Sequence, residues 1–82
     1  MAVNEQIRSF IGQNFFAASG IEFTDQASLL DLGIIDSTGV LELVSFLEQE
    51  FQVSISDSEI IPENLDSIDR ICAFVAEKQS SN

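Results

Sequence analysis

Leu32-Gly33-Ile34-Ile35-Asp36-Ser37-Thr38-Gly39 runs directly into Val40-Leu41-Glu42-Leu43-Val44-Ser45-Phe46-Leu47-Glu48-Gln49-Glu50-Phe51. The second half has a helical pattern. Val40, Leu43, Val44, Leu47 and Phe51 recur at three- and four-residue spacing and share a core face. Thr38, Glu42, Ser45 and Gln49 form the opposite, polar stripe. Phe46 falls nearer the polar side, which makes it an exposed aromatic available for contact. The first half is an apolar loop that ends in an acid and a serine. Asp36 suits an N-cap, because its carboxylate accepts backbone N–H bonds. The pattern predicts a helix from Ser37 to about Glu50. Ser37 then stands at its mouth, with its hydroxyl exposed and an acid beside it.

Towards the N-terminus, Val3, Ile7, Phe10 and Ile11 share one face at helical spacing, so a first helix is expected from about Val3 to Phe16. Gly20 breaks the pattern. Residues 20–36 read as a long loop anchored by Ile21, Phe23, Leu29, Leu30 and Leu32. A loop of that length in a small domain is usually functional. Towards the C-terminus, Ser56-Asp57-Ser58-Glu59 has the form of a capping box, and Pro62 limits the helix it opens to little more than a turn. Asp66 or Ser67 caps the last helix, whose apolar stripe is Ile68, Ile71, Cys72 and Val75. Ser80-Ser81-Asn82 reads as a flexible tail. Strand alternation and internal repeats are both missing from the pattern. The expected fold is all-α: one domain over 1–82, a small four-helix bundle of three longer helices and one short one.

Composition narrows the function. The chain has 82 residues, 45% of them hydrophobic, and carries 14 acids against 3 bases for a net charge of -11. That apolar share is too high for a disordered tail. Arg8 and Arg70 are the first two bases, and 12 of the acids lie between them. A phosphate backbone attracts Lys and Arg, so nucleic acid is an unsuitable partner, and so is an anionic membrane surface. Partners with basic patches are expected. The start of the chain shows no secretory leader pattern, and no apolar run approaches membrane-spanning length. A soluble cytoplasmic monomer is expected.

An enzyme is not expected. The chain has no histidine, so a Ser-His or Cys-His nucleophile pair cannot form. It has no glycine-rich phosphate loop, and its acids do not follow the spacing of a calcium loop. No catalytic residue and no metal ligand is assigned. Cys72, the one cysteine, lies on an apolar stripe and reads as a small buried hydrophobe. Ser37 has a bland reading too, since Asp and Ser are both common at helix starts. Its setting adds weight. A long loop precedes it, an acidic amphipathic helix follows it, and the domain is small.

Over nearly its full length the chain resembles the acyl and peptidyl carrier proteins. The residues that carry the likeness are Leu32-Gly33-Ile34-Ile35-Asp36-Ser37 and the helix from Val40 to Phe51. Val53-Ser54-Ile55-Ser56-Asp57 and Asn64-Leu65-Asp66-Ser67-Ile68 extend it. The resemblance implies a free-standing carrier that tethers an acyl or aminoacyl group as a thioester on a 4'-phosphopantetheine arm. The arm comes from coenzyme A and is attached at Ser37. The likeness implies Asp36 as the neighbour that a phosphopantetheinyl transferase recognises. It also implies an acyl- or aminoacyl-loading ligase and a downstream transferase as partners, each with a basic docking surface. Glu42 and Glu48 become docking acids, and Thr38, Ser45 and Phe46 complete the docking positions. A phosphodiester at Ser37 would meet the backbone N–H groups of a helix N-terminus. Fatty-acid carriers continue Asp-Ser-Leu-Asp, whereas this chain has Asp36-Ser37-Thr38-Gly39, and a glycine there is similar to D-alanyl carriers. That favours a specialised carrier for an amino acid or an unusual acyl group. The alternative is a cofactor-free acidic helical adaptor for a basic protein.

Overall fold

The computed structural model describes residues 3–15 and 22–81. Helix α1 spans Val3–Asn14, α2 spans Gly39–Phe51, α3 is the short Pro62–Leu65, and α4 spans Ile68–Ser81. A single 3-10 turn, Asp57–Glu59, lies between α2 and α3. The described residues contain no strand. The expected bundle of three longer helices and one short one is therefore found. Helix α4 packs against each of the other three and is the hub of the bundle.

The core follows the sequence pattern closely. Ile7 and Ile11 of α1, Leu43 and Leu47 of α2, and Ile68, Ile71 and Val75 of α4 are almost completely buried. Each such side chain contributes about 1.5–3 kcal/mol by leaving water. Val44, Phe51 and Phe74 are also buried, and Val40 packs half-buried against the cluster. Phe74 belongs to the α4 stripe and escaped the sequence reading, although it sits three residues after Ile71. Cys72 is half-buried against the same core.

Several expectations are corrected. Helix α1 ends at Asn14, and although the Phe15 N–H still reaches the Ile11 carbonyl at 3.0 Å, Phe15 lies beyond the regular helix. The expected continuation to Phe16, and the anchor Ile21, lie outside the described residues. In the long loop Leu29 is fully buried and Phe23 half-buried, but Leu30 and Leu32 are exposed. The buried pair is Ile34 and Ile35. Their N–H groups both point to the Leu29 carbonyl, at 3.0 and 3.3 Å. Gly33 makes this fold-back possible, because its φ of +72° is left-handed, a region that costs a residue with a Cβ.

The capping box opens a single turn, Asp57–Glu59, as short as expected. Pro62 has a further role, opening α3 from its first position, where proline loses no helical hydrogen bond. The capping-box carboxylate is in place: Glu59 accepts the Ser56 N–H at 3.0 Å. Glu59 also takes two bonds from Lys78 Nζ, at 2.9 and 3.1 Å, and so ties this turn to α4. Lys78 and the Ser56 N–H together hold the Glu59 carboxyl below its usual range. At the far end, Ser80 and Ser81 form the last residues of α4, and Asn82 lies outside the described residues. Helix α2 ends on Gln52 in the left-handed conformation, with φ 57°.

Candidate functional site

The site is built around the start of α2. Asp36 Oδ1 accepts the N–H of Thr38 at 3.1 Å and that of Gly39 at 2.7 Å. The Asp36 carbonyl accepts the Val40 N–H at 3.0 Å. Those three bonds give Asp36 the capping role that the sequence predicts. Regular helix begins two residues later than expected, at Gly39, after a turn through Ser37 and Thr38. Ser37 sits in that turn, exposed. Its hydroxyl makes no hydrogen bond to any described residue.

One expectation about chemistry changes here. The Asp36 carboxylate already occupies two first-turn N–H groups, so they are not free to cradle a phosphodiester.

Thr38, Leu41, Glu42 and Ser45 fall at i, i+3, i+4 and i+7 of this segment, and all four are exposed. Leu41 is 58% exposed, the most exposed of the large apolar side chains among the described residues. The sequence reading overlooked it. The signal was there, since Leu41 falls outside the core stripe of α2 and is apolar on a polar face.

Two other expected contact residues are engaged inside the fold. Phe46 is half-buried, because its ring stacks on Phe10 of α1 at 4.1 Å between centroids. Glu48 is half-buried, and its carboxylate accepts the Ile55 N–H at 2.9 Å, which fixes the strap after α2. Helical spacing put Phe46 near the polar side, and the family resemblance made Glu48 a docking acid. The sequence had no means of seeing α1 and the strap close over that side.

A cavity of about 250 Å³ opens beside Ser37. Its walls are largely apolar: Leu30 and Ile35 from the loop, Val40 from α2, and Ile61, Pro62 and Leu65 around α3. Asp66 holds that wall together. Its carboxylate accepts the Ser28 hydroxyl at 2.6 Å and the Leu30 N–H at 3.0 Å, and its carbonyl accepts the Leu29 N–H at 2.7 Å. The exposed side chains of Leu30 and Ile61 are thus part of the surroundings of Ser37.

Gly39 is buried. A Cβ placed there would lie 2.7 Å from Cε1 of Phe15 and 3.3 Å from Asp36 Oδ1. A helix interior glycine costs about 1 kcal/mol relative to alanine, and the Phe15 ring is the physical reason for tolerating it. Cys72 offers no rival nucleophile. Burial first, and then Asp25 and Asp69, push its thiol pKa up, the opposite of activation.

An exposed, unbonded serine at a capped helix start beside an apolar cavity is the geometry of a carrier. Residues 7–75 match the family described as the phosphopantetheine attachment site. The chain belongs to that family of carrier proteins, and its cofactor is a covalently attached 4'-phosphopantetheine. It is 42% identical over 50 residues to the probable acyl carrier protein PigG of Serratia, a match covering 61% of this chain and 58% of that protein. It is 35% identical over 65 residues to aminoacyl carrier protein 1 of Bradyrhizobium diazoefficiens, covering 79% of this chain and 68% of that one. With the D-alanyl carrier protein of Streptococcus suis it shares 32% identity over 77 residues, 94% of this chain and 95% of the relative. Among the described residues, no helix is long and apolar enough to cross a membrane.

Proposed function

We propose that the chain is a free-standing carrier that holds an amino acid or small carboxylic acid as a thioester, on a phosphopantetheine arm attached at Ser37. The observation that carries the attachment site is the division of labour at the helix start. Asp36 does the capping, and the Ser37 hydroxyl is left exposed with no bond to a described residue. Once attached, the group supplies a flexible arm ending in a thiol. The chain itself supplies presentation. Thr38, Leu41, Glu42 and Ser45 form a face next to the arm, apolar at Leu41 and anionic at Glu42, which suits a partner with an apolar socket inside a basic rim. Asp36 is the neighbour that a phosphopantetheinyl transferase reads along with the serine. Loading ligase and downstream transferase share this same face. Glu48 and Phe46 act through the fold, by holding the strap and α1.

An amino acid or small acid is supported by the aminoacyl and D-alanyl carriers among the relatives. A second reading, a longer acyl chain, is favoured by the apolar cavity beside Ser37. One experiment separates them. The holo protein is offered to an adenylate-forming amino-acid ligase panel and to malonyl- and acyl-transfer enzymes of fatty-acid synthesis. Intact mass then reads the load. Efficient aminoacyl loading with little malonyl transfer is expected. Efficient malonyl transfer and elongation, without aminoacyl loading, would overturn the small-cargo reading in favour of the acyl one.

A further inference from the structure

We propose that Phe15 is a positioning residue for the modification site: its ring, seated on Gly39, holds the Asp36 cap and thereby sets how the Ser37 hydroxyl is presented. The proposal rests on Ser37 as the attachment site. Phe15 follows α1 and is only 8% exposed. Its Cε1 lies so close to position 39 that a methyl group would come within 2.7 Å of it, and within 3.3 Å of Asp36 Oδ1. The same Oδ1 bonds the N–H groups of the consecutive residues Thr38 and Gly39. Ring and cap therefore both border the space that a Cβ at position 39 would take.

The ring is itself braced. Phe15 meets Phe10 edge-on at 5.8 Å, Phe10 stacks on Phe46 at 4.1 Å, and Phe46 meets Phe51 edge-on at 6.1 Å. A ladder of four rings thus runs from the C-terminal end of α2, across α1, to the glycine at its N-terminal end. Aromatic pairs of this geometry are favourable beyond simple burial. Through the ladder, the packing of α1 fixes the turn that carries Ser37. Glycine at 39 is selected by this contact and not by access for a partner.

The test uses the full chain with a broad-specificity phosphopantetheinyl transferase, coenzyme A and magnesium. Gly39→Ala forces the ring and the cap apart. It should lower kcat for transfer by about tenfold to a hundredfold, as a small misplacement of a reacting group does. KM should stay within about twofold, because the face at Leu41, Glu42 and Ser45 is untouched. Phe15→Leu combined with Gly39→Ala exchanges bulk across the contact and should recover most of the lost rate. Ile71→Val, compared at equal folded fraction, controls for simple destabilisation and should transfer as the wild type does. Amide exchange of the apo protein is read alongside. In Gly39→Ala the amides of residues 38 and 39 should exchange faster, while those of Ile71 and Val75 on α4 are unchanged.

Transfer by Gly39→Ala at the wild-type rate would overturn the proposal. So would a double variant no better than Gly39→Ala, an equal loss in Ile71→Val, or unaltered exchange at residues 38 and 39. Wild-type protein that takes up no phosphopantetheine, or Ser37→Ala that does, overturns the attachment reading. The amide measurement then still decides whether ring and cap are coupled.

Discussion

Two Asp-Ser pairs start two long helices, and they use the same two residues in opposite ways. At Asp36-Ser37 the aspartate is the cap and the serine is left exposed in the first turn. At Asp66-Ser67 the serine is the cap. Its Oγ accepts the Arg70 N–H at 3.1 Å, and it is buried, only 4% exposed. Asp66 then turns away from α4 to hold Ser28 and Leu30. The capping role has moved by one residue, and that shift alone decides which hydroxyl faces solvent. A dipeptide is therefore too short to mark a modification site. What distinguishes Ser37, the proposed attachment site, is a preceding aspartate that already satisfies the first turn.

The largest expected effect breaks or upholds this contrast outright. Ser37→Ala should gain no phosphopantetheine by intact mass, while Ser67→Ala should be modified as the wild type is. Stability should run the other way. In urea titration followed by circular dichroism, Ser67→Ala should lose about 1–2 kcal/mol, because a buried cap is removed. Ser37→Ala should stay within about 0.5 kcal/mol of the wild type, as surface substitutions usually do. If Ser37→Ala is the one that unfolds, the serine is structural and the contrast is wrong.

A smaller effect sharpens the comparison. Glu42 and Asp69 are exposed acids in the first turns of α2 and α4. Reversing either charge costs each helix a similar dipole contribution, about 0.3–1 kcal/mol. Only Glu42 adjoins Ser37. Glu42→Lys should slow transfer by a basic transferase several-fold at low salt, with the difference shrinking as salt is raised. Asp69→Lys should leave the rate alone. Equal slowing by both, measured by steady-state kinetics, would make the acidic surface a diffuse field and not a docking face.

The smallest effect concerns the third Asp-Ser pair, Asp57-Ser58, where neither residue starts a long helix. There Glu59 makes the connections, to Ser56 and Lys78. Its folded-state pKa is depressed. The stability it contributes is present above its unfolded pKa and is lost as pH falls through the folded value. Between about pH 6 and about pH 3, the urea midpoint of Glu59→Gln should therefore fall less than that of the wild type. Equal falls would show that the tie to α4 is not held by this charge.

Much of this was legible in the sequence, and the failures have physical causes. Helices α1, α2 and α4 were found because each buries a stripe of period 3.6, and a stripe needs no partner to be seen. The Asp36 cap was found because capping is local chemistry. The loop anchors were misassigned because a loop has no period. Leu30 and Leu32 alternate with polar neighbours much as core residues do, while the adjacent Ile34 and Ile35 are both buried around the turn at Gly33. Phe46 and Glu48 looked like contacts because their partners, Phe10 and the Ile55 N–H, come from other elements. The contact of Phe15 with Gly39 was invisible for the same reason. The need for glycine at position 39 has no local signature, because the ring beside it lies 24 positions earlier.

The unbonded Ser37 hydroxyl has one more consequence. A protein that shuttles material between other catalysts is altered chemically in every cycle, and each alteration is a chance for its own architecture to loosen. Under the proposed attachment the Ser37 oxygen is altered once, when the arm is joined, and in this fold that hydroxyl bonds no described residue. The Asp36 bonds that hold the turn run to Thr38 and Gly39 and do not involve the Ser37 oxygen. An ester formed on that oxygen therefore removes no bond from the cap, and the turn that presents it needs no rebuilding when the arm is attached.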